Sequence, residues 1–480
     1  METAPDNPMH ETRNHPAHGH GACRAAGRRG IVRATVKPAV KLAVKLAVAL
    51  AAGAALLCGL ATAPAAQEFS GTDRDDPSQD ILIEGIGFAK LVLEIETGAG
   101  LSKYPTYRRL SKVLEKNLCW SGFFNLVRGS GKFCEPRSEP GRVDMRLELA
   151  EVDKALRLRL VDNGPENLVL FEDTLSLENR VPETTLINLV NRLTGRISGE
   201  PGLLGSTIAF VLRQPRYAKV IVATDTHGSR LKLISHNSGI NLLPKWSPSG
   251  MSMVYTVLGD RGTQVYYHNF ASNGSSSGDS RFLTKVGALN TGGSFSPDGK
   301  QIVLTMSDRS NADLFRVDLE QNRRFKLTSR SGIETQAHWA RDGSKIVFVS
   351  DRSGTPQVYL LEVETREDLR ITFDGVYNAD PKWSPDSRTI LFTKRVNGRD
   401  QIHIMDQYGE NIRPVTRGRY DAEQPEWSPD GRQIVFTSNR TGDFKLYVVS
   451  TDGSNLRRLT RTPSGFEETS PSWTRRHLAP

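Results

Sequence analysis

Few residues of this 480-residue chain stand at spacings that could do chemistry, and they fall into three groups. The first is Gly274-Ser275-Ser276-Ser277-Gly278, which matches the G-x-S-x-G pattern of a nucleophilic serine. That pattern works when a strand-to-helix turn exposes the serine and Asp and His partners follow along the chain. Here it lies in a Ser/Gly-rich stretch between strand-like runs, which reads as a flexible loop. The second group is Cys119 and Cys134, the two cysteines outside the N-terminal leader that holds Cys23 and Cys58. In an oxidising compartment they could form a disulfide closing a loop of about 15 residues, contributing roughly 3 kcal/mol; a free buried pair is the alternative. No Cys/His set stands at zinc-ligand spacing, and His10, His15, His18 and His20 sit in a leader of biased composition. The third group is Asn241, Asn290, Glu334, Asn378, Ala422 and Glu468, with Glu423 beside the alanine, each five residues ahead of a recurring aromatic. If these carboxylates and carboxamides ring one mouth of a channel, they could bind a cation such as calcium, or basic groups of a partner. Capping of turns by the same side chains is the competing expectation.

The elements that would position this third group are repeats. An aromatic followed by a tight turn recurs as WSPSG at Trp246, FSPDG at Phe295, WARDG at Trp339, WSPDS at Trp383 and WSPDG at Trp427, with a truncated PSWT at Trp473. Proline presets φ, Asp bonds its own backbone and Gly accepts positive φ, so S-P-D-G is a hairpin turn. After it come a β-rich run (QIVLTMS, KIVFVS, TILFTK, QIVFTS), a second (QVYLLEV, QIHIMD, KLYVVS) and a short third closing in RFLT, FKLT, LRIT or RRLT. Four strands per repeat of about 44 residues is the arithmetic of a propeller blade. Upstream of Trp246, TIAFVLR, YAKVIVATDTHG and RLKLIS supply three strands lacking a first, and Trp473 supplies a first strand lacking the rest. Together they complete a sixth blade, so an all-β six-bladed propeller over residues 206–480 is expected, closed by strands near 208–235 and 470–475.

Residues 81–200 lack the repeat. ILIEGIG and LVLEIE read as strands, residues 107–118 as an amphipathic helix, and three further strands precede a second helix near 182–197, giving a small α/β domain with its strand pairing open. The N-terminus reads as an export signal. Arg24, Arg28, Arg29, Arg33, Lys37, Lys41 and Lys45 precede an uncharged stretch at residues 46–60, and Ala63-Pro64-Ala65 fits a cleavage site, so residues 1–66 form a leader cut near residue 65 and 67–80 a polar segment. The alternative is an uncleaved anchor, since residues 46–66 could span a bilayer. Residues 1–66 carry eight Lys/Arg against three Asp/Glu, leaving about +4 of the +9 net charge (9 − 5) for the rest. Spread over the remaining chain, this excludes a nucleic-acid binder built on a basic patch.

SGFF, the junction SGEPGLLGSTIAFV and the six WSPDG-type repeats together resemble the TolB family, periplasmic propellers of the Tol-Pal envelope system. The resemblance covers nearly everything after the leader. It implies a soluble monomer, peripheral to membranes, with no catalytic activity and no required cofactor. Such a protein binds a Pal-type peptidoglycan-associated lipoprotein through the propeller and a TolA-type inner-membrane protein through its N-terminus, supporting outer-membrane integrity and cell division. One departure stands out: QEFSGTDRDDPSQD is polar and acidic where the family carries its TolA-binding strand. WSPDG blades also gate peptidases of the prolyl oligopeptidase type, so the propeller of an exported peptidase-like or sugar-active hydrolase is the rival expectation.

Overall fold

A computed structural model describes residues 90–127, 143–214, 219–235, 239–260, 262–271, 280–285, 289–308 and 311–477. All of them belong to one compact unit, Ser78–Pro480. The leader and its cleavage site, the polar segment, the ILIEGIG run, Cys134 and the serine motif at 274–278 lie outside the described residues.

The α/β part begins with β1 (Leu91–Thr97), α1 (Pro105–Trp120), β2 (Phe124–Leu126), β3 (Met145–Val152), β4 (Ala155–Asp162), β5 (Val169–Ser176) and α2 (Glu183–Ser198). Its sheet order is β2-β1-β3-β4-β5, with β1 parallel to both neighbours and the β3-β4-β5 meander antiparallel. MRLELAEV and ALRLRLVD alternate buried and half-buried, the signature of a sheet covered on one face. Both helices cover that face, through Leu110, Leu114 and Leu118 on α1 and Leu186, Leu189 and Leu193 on α2. Proline opens α1 at its first turn, and Gly199, at φ 75°, ends α2 in the left-handed conformation a C-cap favours.

The remaining described residues form six four-stranded antiparallel sheets. A representative blade runs Glu334–Trp339, Lys345–Ser350, Gln357–Glu362 and Asp368–Arg370 in sequential order. The closing blade instead places the C-terminal strand Glu467–Thr474 beside β6 (Thr207–Arg213), β7 (Lys219–Asp225) and β8 (Lys232–Leu233). Trp473 pairs with Ile208 and Glu468 with Leu212, so the first and last strands of the propeller complete one sheet. The apolar packing closes with it. Six clusters each join two neighbouring blades, among them one linking Trp473, Ile208 and Phe210 to Leu446 and Val448, and another linking Ile221 and Ala223 to Trp246 and Tyr255. A blade is apolar on both faces, so it is stable only between two others, and the ring satisfies all six.

The recurrent turn forms as its residues dictate. Ser296 donates to Asp298 Oδ1 at 2.5 Å and accepts the Gln301 N–H at 2.9 Å, while Gly299 takes φ 72°. Ser384 with Asp386, and Ser428 with Asp430, repeat the device.

Candidate functional site: the channel and its two mouths

The innermost strands are Ile240–Trp246, Asn290–Phe295, Glu334–Trp339, Asn378–Trp383, Ala422–Trp427 and the C-terminal strand. Each begins on one face of the propeller and delivers its aromatic to the other.

The residues five places before each aromatic do not line the channel mouth. Asn241, Asn290, Glu334, Asn378, Ala422 and Glu468 are all at most 1% exposed. Their side chains turn into the blade junctions and mostly staple the strand to the preceding blade. Asn241 Nδ2 donates to the carbonyls of Lys219 and Gly239, Asn290 Nδ2 to those of Thr263 and Lys285, and Asn378 Nδ2 to Gln357 Oε1 and the Asp374 carbonyl. Glu468 accepts the Leu446 N–H at 2.8 Å and the Thr460 and Thr462 hydroxyls. Glu334 pairs with Arg352, and burial raises its carboxyl above the usual range. Each is engaged in its own junction, so the set does not converge on one ion as a calcium site's six to eight oxygens must. Among the described residues no group of three or more His, Cys, Asp or Glu side chains could hold a metal. Glu423 differs: it is half-buried beside Asp380, Asp400 and Asp421, and desolvation followed by these charges pushes it to about 7.

The channel is built by other positions. Three residues before the aromatic, every innermost strand enters the left-handed region: Leu243, Gln336, Asp380, Gln424 and Ser470 have φ between 52° and 55°, and Gly292 has 71°. Each forms a bulge where pairing with the next strand shifts. Non-glycine residues there cost about 1–3 kcal/mol each, so the fold must over-determine them. It does so by linking blades: Gln336 Oε1 accepts the Asp380 N–H at 2.9 Å, the Asp380 carboxylate accepts the Gln424 N–H, and Gln424 Oε1 accepts the Ser470 N–H at 2.8 Å. One place before the aromatics stand Lys245, Ser294, His338, Lys382, Glu426 and Ser472. Lys245 reaches across to Glu426 in an ion pair. A cavity of about 150 Å³ sits at this waist, and a wider one of about 500 Å³ lies under the ring of aromatics.

The two mouths have different neighbours. On the aromatic side the α/β part is clamped to the propeller. Arg432 stacks 4.0 Å from the Phe123 ring and Arg457 4.4 Å from Trp120, while Gln433 donates to the Trp120 carbonyl at 3.0 Å. His227 Nε2 donates to Asn117 Oδ1 at 3.0 Å, and burial, then Lys116, lowers its pKa to about 4. On the opposite side, the loops leading into the innermost strands expose apolar side chains: Leu289 at 45%, Ile333 at 50%, Phe373 at 76% and Val376 at 66%. Cys119 is buried and disulfide-bonded, and Cys134 lies outside the described residues.

The TolB beta propeller domain family matches residues 194–477. Among curated proteins, the Tol-Pal system protein TolB of Desulfotalea psychrophila is 30% identical over 166 residues, 34% of this chain and 36% of that one. The TolB of Gluconobacter oxydans is 27% identical over 288 residues, 57% of this chain and 60% of that protein. The chain thus spans between a third and two thirds of the length of these relatives. Among solved structures, TolB from Acinetobacter baumannii superposes with a TM-score of 0.61 at 23% identity, covering 80% of this chain and 96% of that one, a likeness of fold.

Proposed function

Since the chain belongs to the TolB β-propeller family, matched over residues 194–477, we propose that it is a non-catalytic, periplasmic protein-binding component of a Tol-Pal-type envelope system. In this reading the propeller docks a Pal-type peptidoglycan-associated lipoprotein, and the segment ahead of β1 engages a TolA-type inner-membrane protein. The complex supports outer-membrane integrity and cell division. The curated relatives carry the Tol-Pal name, which supports the system. One observation supports the docking face: Phe373, Val376, Ile333 and Leu289 are exposed on loops leading into three successive innermost strands, at the mouth away from the described contacts of the α/β part. An aromatic anchor exposed beside apolar neighbours, with the Arg370 guanidinium 5.3 Å from the Phe373 ring, has the composition of an interface hot spot.

The test is a pull-down from envelope extract with the full chain and with a Phe373→Ser, Val376→Ser double variant. Both residues are largely exposed, so the variant should melt with the wild type. Recovery of a peptidoglycan-associated lipoprotein by the wild type and its loss with the variant is expected. Absence of the lipoprotein under mild extraction, or equal recovery by both proteins, would overturn the reading.

A further inference from the structure

The cavity of about 150 Å³ at the channel waist has walls of opposite character. One wall is apolar and uncrowded. Leu243 occupies the left-handed position of its strand, and in the next blade Gly292 leaves the equivalent position empty, a side-chain carbon built there meeting no atom within 4 Å. The strand Asn378–Trp383 carries Lys382, which is 8% exposed, and Asp380 into the lining, while Lys245 enters it from the same strand as Leu243. Lys245 is engaged by Glu426 and the Pro471 carbonyl. Lys382 is not so well satisfied. Among the described residues its ammonium donates to one acceptor, the carbonyl of adjacent Pro381 at 3.2 Å, although an ammonium carries three donors. Burying such a charge without filling its hydrogen bonds costs several kcal/mol.

The charges of Glu426 and Asp380 act on Lys382, but their hydrogen bonds go to other groups. Glu426 holds Lys245, and Asp380 accepts from Gln336 Nε2 at 2.6 Å, from Thr393 Oγ1 at 3.3 Å and from the Gln424 N–H. His338 stays neutral, held well below the usual histidine range by burial and by Lys382 and Lys245. Its Nδ1 accepts the Trp383 N–H at 3.2 Å, so the ring proton sits on Nε2. The waist therefore offers the incompletely bonded Lys382 ammonium, with the hydrogen-bonded Asp380 carboxylate in the same lining, and hydrocarbon with open space at Leu243 and Gly292.

We propose that the waist binds a small aliphatic carboxylate, its oxygens on Lys382 Nζ and its hydrocarbon end against Leu243 and the gap at Gly292. A cavity of this volume takes a ligand the size of benzene, roughly six heavy atoms, which matches butyrate. Entry is through the wider cavity under the aromatics, which shares Lys245 with the waist. Burial and Lys245 lower Lys382 to about 8, so the ammonium is present below that pH while butyrate is ionised above about 4.5.

The experiment titrates butyrate into the full chain by calorimetry at constant ionic strength, at pH 7 and pH 9, with Lys382→Met and Leu243→Phe variants. A charge-assisted hydrogen bond of about 1.5–3 kcal/mol corresponds to roughly tenfold to hundredfold in affinity. Saturable binding by the wild type at pH 7, weakened at least tenfold in Lys382→Met and clearly weakened at pH 9, is the expected result. Leu243→Phe keeps the lysine and narrows the apolar wall, so it should weaken butyrate while leaving formate unchanged. That variant and the pH comparison decide the matter however well Lys382→Met folds. No saturable binding at pH 7, equal affinity across pH with Leu243→Phe unaffected, or inorganic phosphate binding as tightly as butyrate would each overturn the proposal.

Discussion

Ending the chain at Pro471 would remove the part of the C-terminal strand that closes the ring. The loss can be worked from the structure. Trp473 is 7% exposed and its indole N–H donates to Ser206 Oγ at 2.8 Å. A buried tryptophan covers about 150–250 Å², which at about 25 cal/mol per Å² is about 4–6 kcal/mol. Ser472 and Thr474 also pair with Ala209 and Thr207, and Ser472 Oγ accepts the Trp246 N–H at 3.1 Å. About four hydrogen bonds at about 1 kcal/mol net bring the loss to roughly 8–10 kcal/mol, an upper estimate because unfolded chains already bury some surface. Typical domains are stable by about 5–15 kcal/mol, so the truncated ring should be unfolded or close to it. Urea denaturation followed by tryptophan fluorescence measures this, with a chain ending at Thr474 as control. The control keeps the strand, loses the Arg476 bonds to the Gly250 and Ala271 carbonyls and the exposed Arg475 contacts with the Pro201 carbonyl and Glu200, and should fall within about 3 kcal/mol of full length. A chain ending at Pro471 that unfolds within about 1 kcal/mol of full length would refute the reasoning.

Three further outcomes follow from particular residues. Glu423 is raised to about 7 in the folded protein, so between about 4.5 and 7 the unfolded chain loses its proton while the folded one keeps it, and stability falls as pH rises through that window. Glu423→Gln should abolish this slope and gain about 3 kcal/mol at pH 8, read from urea melts between pH 5 and 8.5. His227 acts in the opposite sense. Its folded pKa of about 4 lies below the ordinary 6.5, so acidification from 6.5 to 4 protonates the unfolded chain first and destabilises the fold, and His227→Gln should remove that acid slope. Arg457→Ala removes the guanidinium stacked on Trp120 and bonded to the Thr226 carbonyl; hydrogen exchange should speed up in α1 while the amides of the other blades stay protected.

The sequence shows the ring plainly, because the aromatic, the turn and the strand lengths each reflect a local constraint that repeats. The sixth blade is legible because TIAFVLR and PSWT are complementary fragments, and they pair as Ile208 with Trp473. The channel is less legible, for a physical reason. Spacing from the aromatic locates Asn241 or Glu468 along the strand, but the direction of a side chain depends on an unbroken alternation. A bulge two residues later resets that alternation, and these side chains turn into the junctions instead. A signal was present in Pro244, Pro381, Pro425 and Pro471, which recur two places before the aromatic. Proline inside a strand marks an edge or a bulge, and here it marks both. What it hides is the conformation before it. Residues preceding proline favour extended backbone, yet Leu243, Asp380, Gln424 and Ser470 take φ near +53°.

That conflict is resolved by the links between blades, and their pattern bears on where the ring can change. Side chain to backbone bonds run from Gln336 through Asp380 and Gln424 to Ser470, joining four successive blades at the channel wall. Leu243 has no polar atom to continue the chain and Gly292 has no side chain, so these two blades are linked differently, by the Gly292 N–H on Thr256 Oγ1 at 3.1 Å, by Lys245 on Glu426 and the Pro471 carbonyl, and by the junction staples at Asn241 and Asn290. The cavity lies against the arc that lacks this relay, with Lys382 on a strand that carries it. A ligand seated at the waist would bridge the two arcs from within, while a partner on the loops carrying Ile333, Phe373 and Val376 would bear on the starts of the same innermost strands from outside. The two sites share strands but no side chains, so substitutions in one should leave the other's binding surface intact.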